Sequence, residues 1–252
     1  MKLDCVLSAV NENTLYLDFI PFFVDTWNKL YPEVDVKVVL IMSEIPSNLE
    51  KYKNNIILFK PIPSINTSFI SQYIRMLYPC ILNYKNGVMI TDIDIIPMNK
   101  VYYTHPIEAI DSKKFIYYKG DSCKHLKQLA MCYNVATPET WRHIFKIHNI
   151  NDIQNRLKNV YSTSNYVIYK TGWFTDQLDL YKHVMQWNNT TQNLICLYDK
   201  DTGFNRLDRG TKFDINSEVI KETIKSGQYT DYHCLRPFND YKDINNKIYE
   251  LL

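Results

Sequence analysis

The stretch GVMITDIDIIPMN, residues 87–99, decides which fold the sequence predicts. Its opening residue, Gly87, is followed by an apolar run that is typical of a strand buried on both faces. Asp92 and Asp94 then follow one residue apart, and carboxylates are rarely placed at the end of a buried strand without a partner. Two explanations are open at this point: the pair binds a metal ion, or it forms a polar turn after the strand.

Strand and helix patterns alternate upstream of this stretch. Nearly continuous apolar and β-branched runs predict strands at LDCVLSAV (3–10), VDVKVVLIM (34–42) and NIILFK (55–60). The segment 15–31 predicts a helix with Pro21 near its start. A second helix is predicted after the capping residues 66–68, with an apolar stripe on one face and Arg75 on the other, and it should end near Pro79.

The element order predicts an α/β fold with a mostly parallel central sheet flanked by helices, because parallel strands need crossover connections. Further strands and helices are predicted at KFIYYKG (114–120), LAMCYNVAT (129–137), PETWRHIFKIH (138–148) and DQLDLYKHVMQW (176–187). Thr175 is the expected N-cap of the last helix. No repeat or Gly/Ser linker divides the chain, so one domain over residues 1–252 is favoured. Ligands of such sheets bind beyond the carboxyl ends of the strands, where Asp92 and Asp94 lie.

Composition restricts the function classes. The chain has 252 residues, 46% of them hydrophobic, and a net charge of +2 with basic and acidic residues interspersed, so no nucleic acid polymer is expected as a partner. Six cysteines without a CxxC pair predict reduced, mostly buried thiols: Cys5, Cys80, Cys123, Cys132, Cys196 and Cys234. The sequence has no signal-peptide region and no apolar stretch of transmembrane length. These features predict a cytoplasmic protein, in the host cytoplasm if the source is a virus.

The two aspartates have a specific chemical use if the chain turns after the strand. Carboxylates at positions i and i+2 can then converge on one divalent cation, and Mg²⁺ and Mn²⁺ prefer such oxygen ligands together with phosphate oxygens and water. A bare D-x-D occurs by chance in any chain of this size. The buried strand before the pair, with Pro97 and an apolar pair after it, favours the metal explanation.

The segment SFISQYIRMLYPCILNYKNGVMITDIDIIPM, residues 68–98, resembles the central segment of glycogenin and of the bacterial lipopolysaccharide galactosyltransferases. These are retaining glycosyltransferases with the GT-A fold, a Rossmann-like fold that binds a nucleotide sugar. The resemblance implies a UDP-sugar donor, a Mn²⁺ or Mg²⁺ ion on Asp92 and Asp94, and an Arg75 that faces the donor. It also implies a nucleotide-binding half at 1–100 and an acceptor-binding half at 101–252.

Weaker matches to the same family assign further site residues. SAVNENTLYL (8–17) resembles the loop that holds uracil, and CYNVATPETW (132–141) resembles a segment that touches the donor sugar. GWFTDQLDLY (172–181) resembles the family's "DQ" element, and DYHCLRPF (231–238) resembles the family's final segment, which contains a His and a basic residue. The family's glycine in the second segment is Ala136 here, and the spacing between His and base is shorter than usual. Arg206, Arg209 and Lys212 are alternative sources of the phosphate-binding charge.

The resemblance thus implies three groups of residues. Asp176 and Gln177 act at the reacting sugar; Asp92, Asp94 and His233 bind the metal; and the donor contacts are Ala9, Asn11, Tyr16, Arg75, Asp92, Ile93, Asp94, Asn134, His233 and Arg236. The residues alone leave structural roles open for several of them. Arg75 would serve equally as a solvated charge, Tyr16 as a helix-packing residue, and Asp176 as part of a helix cap.

The leading prediction is a metal-dependent glycosyltransferase that uses a nucleotide sugar, with retention. A non-catalytic carbohydrate-binding or scaffold protein on the same fold is the alternative from another class. A nucleotidyltransferase is disfavoured because the loop after the first strand has no glycine and no basic residue. A glycan, a protein or a lipid-linked acceptor all fit the sequence, and the oligomeric state is left open.

Overall fold

A computed structural model describes residues 1–122 and 124–252 of the chain, and Cys123, one of the six predicted thiols, lies outside the described residues. The strands are β1 Leu3–Asn11, β2 Asp35–Ile41, β3 Ile56–Phe59, β4 Gly87–Ile90, β5 Ile95–Pro97, β6 Phe115–Tyr117, β7 Asn134–Ala136, β8 Leu194–Cys196, β9 Arg206–Asp208 and β10 Asp231–His233. The helices are α1 Thr14–Leu17, α2 Ile20–Leu30, α3 Thr67–Leu77, α4 Pro138–Phe145, α5 Ile150–Ser164, α6 Thr175–Thr191, α7 Asp199–Thr202, α8 Glu218–Lys225 and α9 Lys242–Leu251.

The central sheet confirms the predicted fold class. Within the described ranges it has seven strands in the order β3-β2-β1-β4-β7-β6-β8. Strands β1 to β4 pair in parallel, and β7 runs against both of its neighbours, β4 and β6. The sheet is therefore mostly parallel and flanked by helices, as the alternation of strand and helix patterns predicts.

The central strands are buried on both faces of the sheet. Successive side chains of a strand point to opposite faces, and each face is covered by an apolar cluster. Val38 belongs to the apolar cluster under α2, where Trp27 is fully buried. Its neighbour Val39 belongs to the cluster on the other face, together with Ile74 of α3 and Trp141 of α4. This layering explains why β2 reads as a continuous apolar run rather than as an alternating one.

A small second sheet lies beside the first and was not predicted. In it β10 runs antiparallel to β5 and parallel to β9. Its register places His233 opposite Ile95 on one side and opposite Asp208 on the other. Since β5 begins directly after Asp94, this pairing brings the last quarter of the chain to the aspartates.

Several predicted elements have different limits in the structure. Thr175 is the first residue of α6 and not its N-cap, because Phe174 occupies that position and the Thr175 hydroxyl donates to the Gly172 carbonyl at 2.7 Å. The segment predicted as one helix, 15–31, is two helices, with Pro21 in the first turn of α2. Within the predicted strand 129–137, the residues of β7 form a strand. Helix α5 was not predicted.

Four of the cysteines, Cys5, Cys80, Cys132 and Cys234, are buried free thiols. Burial raises the pKa of the Cys132 thiol to about 12, so this thiol stays protonated at neutral pH. None of the helices within residues 1–122 and 124–252 combines the length and the apolar character needed to cross a membrane.

Candidate active site

A cavity of about 340 Å³ opens beyond the carboxyl ends of β1 and β4. Of the residues implied by the sequence, the following line it: Ala9, Asn11, Tyr16, Arg75, Asp92, Ile93, Asp94, Asp176, Gln177, His233 and Arg236. They come from β1, α1, α3, the β4–β5 connection, α6 and the end of the chain. The fold therefore collects into one place residues that are more than 200 positions apart in sequence.

Asn134 does not line this cavity, contrary to the role implied for it. Its side chain is fully buried, and its Nδ2 donates to the carbonyl oxygens of Ala130 and Met131 at 2.8 and 3.2 Å. Both of those residues do line the cavity. Asn134 thus supports the wall from behind and does not present its side chain to a ligand.

Arg75 is buried and not a solvated charge. Its side chain is 8% exposed, and its guanidinium forms an ion pair with Asp92 and lies 3.5 Å from Asp176 Oδ2. Burial opposes the ionisation of Asp92, but the attraction of Arg75 outweighs it and holds the pKa of this carboxyl below its ordinary value. Asp92 is therefore a carboxylate at neutral pH, with 36% of its side chain exposed.

Asp94 is surrounded by basic groups. Its Oδ2 lies 2.6 Å from Arg209 Nη1, 3.3 Å from Arg236 Nη1 and 3.9 Å from His233 Nε2. Its carbonyl oxygen accepts a hydrogen bond from the amide of Cys234 at 2.8 Å, next to the β5–β10 pairing.

The three alternative sources of phosphate-binding charge lie in different places. Arg209 lines the cavity, whereas Arg206 pairs with the buried Asp231 at 2.6 Å. Lys212 is exposed and does not line the cavity.

The orientation of His233 is fixed by Asp208, a residue that was not predicted for the site. Asp208 Oδ2 lies 3.0 Å from His233 Nδ1, and Asp208 Oδ1 accepts from the Gly210 amide at 2.7 Å. A carboxylate accepts only, so this geometry places a proton on Nδ1, and it directs Nε2 toward Asp94, 3.9 Å from its Oδ2. The pairing of β9 with β10 places Asp208 opposite His233, and no local sequence pattern predicts this contact.

These donors suit a divalent cation of the Mg²⁺ or Mn²⁺ type in their chemistry. An ordinary ligand set for such a cation is two carboxylates together with an imidazole that binds through Nε2 and has its Nδ1 next to a carboxylate. Within residues 1–122 and 124–252, however, no three acidic, His or Cys side chains are already gathered around one point. Guanidinium groups pair with both aspartates instead: Arg75 with Asp92, and Arg209 and Arg236 with Oδ2 of Asp94.

Asp176 is the most perturbed acid in the cavity. Burial raises the pKa of its carboxyl to about 7, while Arg75 and the Gln177 amide, which donates to Asp176 Oδ1 at 2.8 Å, act in the opposite direction. It stands in the first turn of α6 but does not cap the helix. A buried acid that exchanges its proton near neutral pH and faces a cavity is a candidate for a functional role.

Tyr16 and Arg236 both line the cavity and contact each other. The Arg236 guanidinium contacts the Tyr16 hydroxyl and lies 5.1 Å from the centre of its ring. Tyr169 and Trp173 also line the cavity, and neither was predicted to do so. Their aromatic character alone does not separate them from the many other aromatic residues of the chain.

The structure shares its fold with solved glycosyltransferases, which agrees with the GT-A fold expected from the sequence. The structure is similar to the galactosyltransferase LgtC in complex with donor and acceptor sugar analogs, at 12% identity and a TM-score of 0.51 over 98% of this chain and 96% of that one. It is also similar to the glycosyltransferase GlyE of Streptococcus pneumoniae TIGR4, at 13% identity and a TM-score of 0.52 over 100% of this chain and 60% of that one. Comparisons with models of known families and with curated protein sequences gave no match.

Proposed function

We propose that the protein is a glycosyltransferase that takes a sugar from a nucleoside diphosphate sugar, with UDP as the nucleotide, and requires a divalent cation. One observation carries the proposal: Asp92, Asp94 and Asp176 meet His233 and the buried Arg75 in one cavity beyond the parallel strands. Ligands of α/β sheets bind at this edge. The similarity to LgtC and GlyE supports the fold on which the proposal rests.

The charges of the cavity suit a diphosphate bound together with a cation. Asp92, Asp94 and His233 would hold the cation, and the departure of Arg209 and Arg236 from Asp94 would free two guanidinium groups. Guanidinium groups bind phosphate oxygens through paired N–H donors. We therefore assign these two arginines to the diphosphate.

The other end of the donor has its own contacts. Tyr16 presents a partly buried ring beside Ala9 and Asn11 at the end of β1, a setting in which a flat nucleobase can stack. Asn11 is held by Thr67 and Ser68, whose hydroxyls lie 3.0 and 3.2 Å from its Nδ2. We assign the base to this end and the sugar to the end that contains Asp176.

Departure of the sugar leaves negative charge on the terminal phosphate of the nucleotide. A bound Mn²⁺ or Mg²⁺ would supply Lewis-acid stabilisation of that charge. Arg209 and Arg236, which both lie at Asp94, would add fixed positive charge beside that phosphate. Asp176, with Arg75 beside it, would orient the sugar and the acceptor, and transfer with retention belongs to this proposal.

The test is nucleotide release. The protein is incubated with Mn²⁺ and a panel of UDP-sugars, and free UDP is measured, because slow transfer to water reports donor cleavage without a known acceptor. Asp94→Asn is expected to lower the rate by about 100-fold or more, while Asp243→Asn, at an exposed position of α9, leaves it unchanged.

Binding measured by calorimetry separates the alternatives. UDP-sugar binding that depends on Mn²⁺ but is followed by no release from any donor would support the non-catalytic carbohydrate-binding function instead. Full release by Asp94→Asn, with the variant folded as judged by circular dichroism, would overturn the proposed role of the aspartates.

A further inference from the structure

The loop 165–174, which joins α5 to α6, supplies three residues to the wall of the cavity. They are Ile168, Tyr169 and Trp173, and none of them is charged. Lys170, the one charged residue of the loop, does not belong to the cavity wall. This part of the wall therefore suits an uncharged group of a nucleotide sugar, either the base or the sugar, and not the diphosphate.

Tyr169 lies in the middle of a closed turn and has a strained main chain. The Val167 amide donates to the Thr171 carbonyl at 2.8 Å, and the Lys170 amide donates to the Val167 carbonyl at 3.0 Å. The φ of Tyr169 is +59°, in the left-handed region that bulky residues rarely adopt. Strain of this kind persists where the surrounding structure enforces it, and it is concentrated at sites that bind ligands.

The Tyr169 ring is supported by its neighbours and still largely uncovered. It packs against Trp173 with centroids 4.4 Å apart, and Trp173 stacks on Tyr166 with centroids 5.9 Å apart. The Tyr166 hydroxyl donates to Gln72 Oε1 of α3 at 2.8 Å, which ties this row of rings to a helix of the main layer. Tyr169 is nevertheless 59% exposed. The ring thus combines a defined position with a free surface at the cavity.

Its contact with Tyr16 places Tyr169 at the nucleotide end of the cavity. The Tyr169 side chain interacts with the Tyr16 hydroxyl, which also contacts the Arg236 guanidinium. Because the base is assigned to the ring of Tyr16, a base bound there lies beside Tyr169. Of the uncharged groups of the donor, the base is therefore the one that meets this ring.

We infer that Tyr169 is a second aromatic contact of the nucleobase, in addition to Tyr16. This inference rests on the proposed function and adds a donor-binding residue that the family resemblance does not assign. Stacking of a base on an aromatic side chain uses the flat face of the ring and does not need its hydroxyl. Phenylalanine can therefore replace Tyr169 in this role, whereas leucine and alanine cannot.

Calorimetric titration with UDP in the presence of Mn²⁺ tests the inference. Tyr169→Ala and Tyr169→Leu should each weaken UDP binding by about fivefold or more, while Tyr169→Phe should bind UDP within about twofold of the wild type. The leucine variant separates stacking from simple apolar contact. Tyr241→Ala, at an exposed tyrosine outside the cavity wall, is the matched control and should bind UDP as the wild type does.

A second pair of variants separates binding from stability. Glycine adopts a positive φ without strain, so Tyr169→Gly should unfold at a higher temperature than Tyr169→Ala, which keeps the strain. Both variants lack the ring and should show the same loss of UDP affinity. An affinity that rises with the thermal midpoint would mean that Tyr169 acts only through the folding of the loop, and it would overturn the inference.

The remaining outcomes distinguish this inference from the proposed function. UDP binding by Tyr169→Ala or Tyr169→Leu equal to that of the wild type would refute the contact with the base and leave the proposed function standing. A loss in Tyr169→Phe as large as in Tyr169→Ala would refute the contact as well, because the ring is retained. Absence of UDP binding by the wild type would instead contradict the proposed function, and the inference would fail with it.

Discussion

Asp176 gives the structure a predicted dependence of stability on pH, which Asp176→Asn should remove. Asp176 is 4% exposed, and burial raises the pKa of its carboxyl from 3.8 to about 7, with Arg75 opposing the change. Between these two pH values the folded chain retains a proton that the unfolded chain has lost. The free energy of unfolding therefore falls as the pH rises through this interval and is no longer affected by Asp176 above it.

The size of the effect follows from the two pKa values. Each pH unit within the interval changes the stability by about 1.36 kcal/mol per proton, so the complete fall is at most about 4 kcal/mol. Between pH 5 and pH 8 the expected fall is about 3 kcal/mol. Asparagine cannot ionise, so the variant lacks this contribution, and any constant change from its amide group does not depend on pH.

The assay is urea unfolding, followed by tryptophan fluorescence, at pH 5, 6, 7 and 8. The quantity of interest is the difference in unfolding free energy between the wild type and Asp176→Asn, because the other titrating groups cancel in it. This difference should change by about 3 kcal/mol in favour of the variant as the pH rises. Asp243→Asn controls for the loss of one carboxylate, and parallel curves for Asp176→Asn and the wild type would refute the reasoning.

Three further substitutions test the surroundings of the site. Arg206→Gln should lower the free energy of unfolding by about 3 to 5 kcal/mol in urea, because it leaves the fully buried Asp231 without its guanidinium partner. Gly172→Ala should lower the thermal midpoint and increase proteolysis near the loop, at a cost of about 1 to 3 kcal/mol, since the new Cβ meets the Ser164 carbonyl. Asn134→Ala removes the two hydrogen bonds that hold the Ala130 and Met131 carbonyls in the cavity wall, and should destabilise this wall by about 1 to 3 kcal/mol. The variant should therefore bind UDP more weakly than the wild type in calorimetry.

The first third of the chain was the most predictable part of the fold. Long apolar strands and a helix with a capping Asn66 carry local signals, and their structure follows the prediction within a few residues. The small second sheet was missed because β9 and β10 are three residues long and depend on partners far away in the sequence. Helix α6 was found but its N-cap was misassigned: the local signal favours Thr175 over Phe174, whereas in the structure the Thr175 hydroxyl donates to the Gly172 carbonyl and Phe174 occupies the cap position.

The residues of the site were predicted from a resemblance to a family, and the structure adds site residues that no local sequence pattern predicts. Asp208 depends on strand register and Tyr169 on the fold of a loop, so neither has a local pattern. Asn134 was assigned to the ligand because its position in the segment matched, but its side chain turns inward to bind main-chain carbonyls. A pattern gives the position of a residue along the chain, whereas the direction of its side chain depends on which polar groups nearby need a partner.

The approach of His233 to Asp94 is fixed mainly by the main chain. The two residues are joined through the β5–β10 ladder, in which His233 is opposite Ile95 and the Cys234 amide donates to the Asp94 carbonyl. Apolar side chains of both strands, among them Ile96 and Tyr232, are fully buried and stabilise this ladder. Because the ladder sets the distance and Asp208 sets the orientation of the imidazole, a change that weakens the β5–β10 pairing should impair the proposed cation binding, measured by calorimetry with Mn²⁺, as strongly as the loss of His233 itself. Replacement of neighbouring exposed side chains should leave it intact.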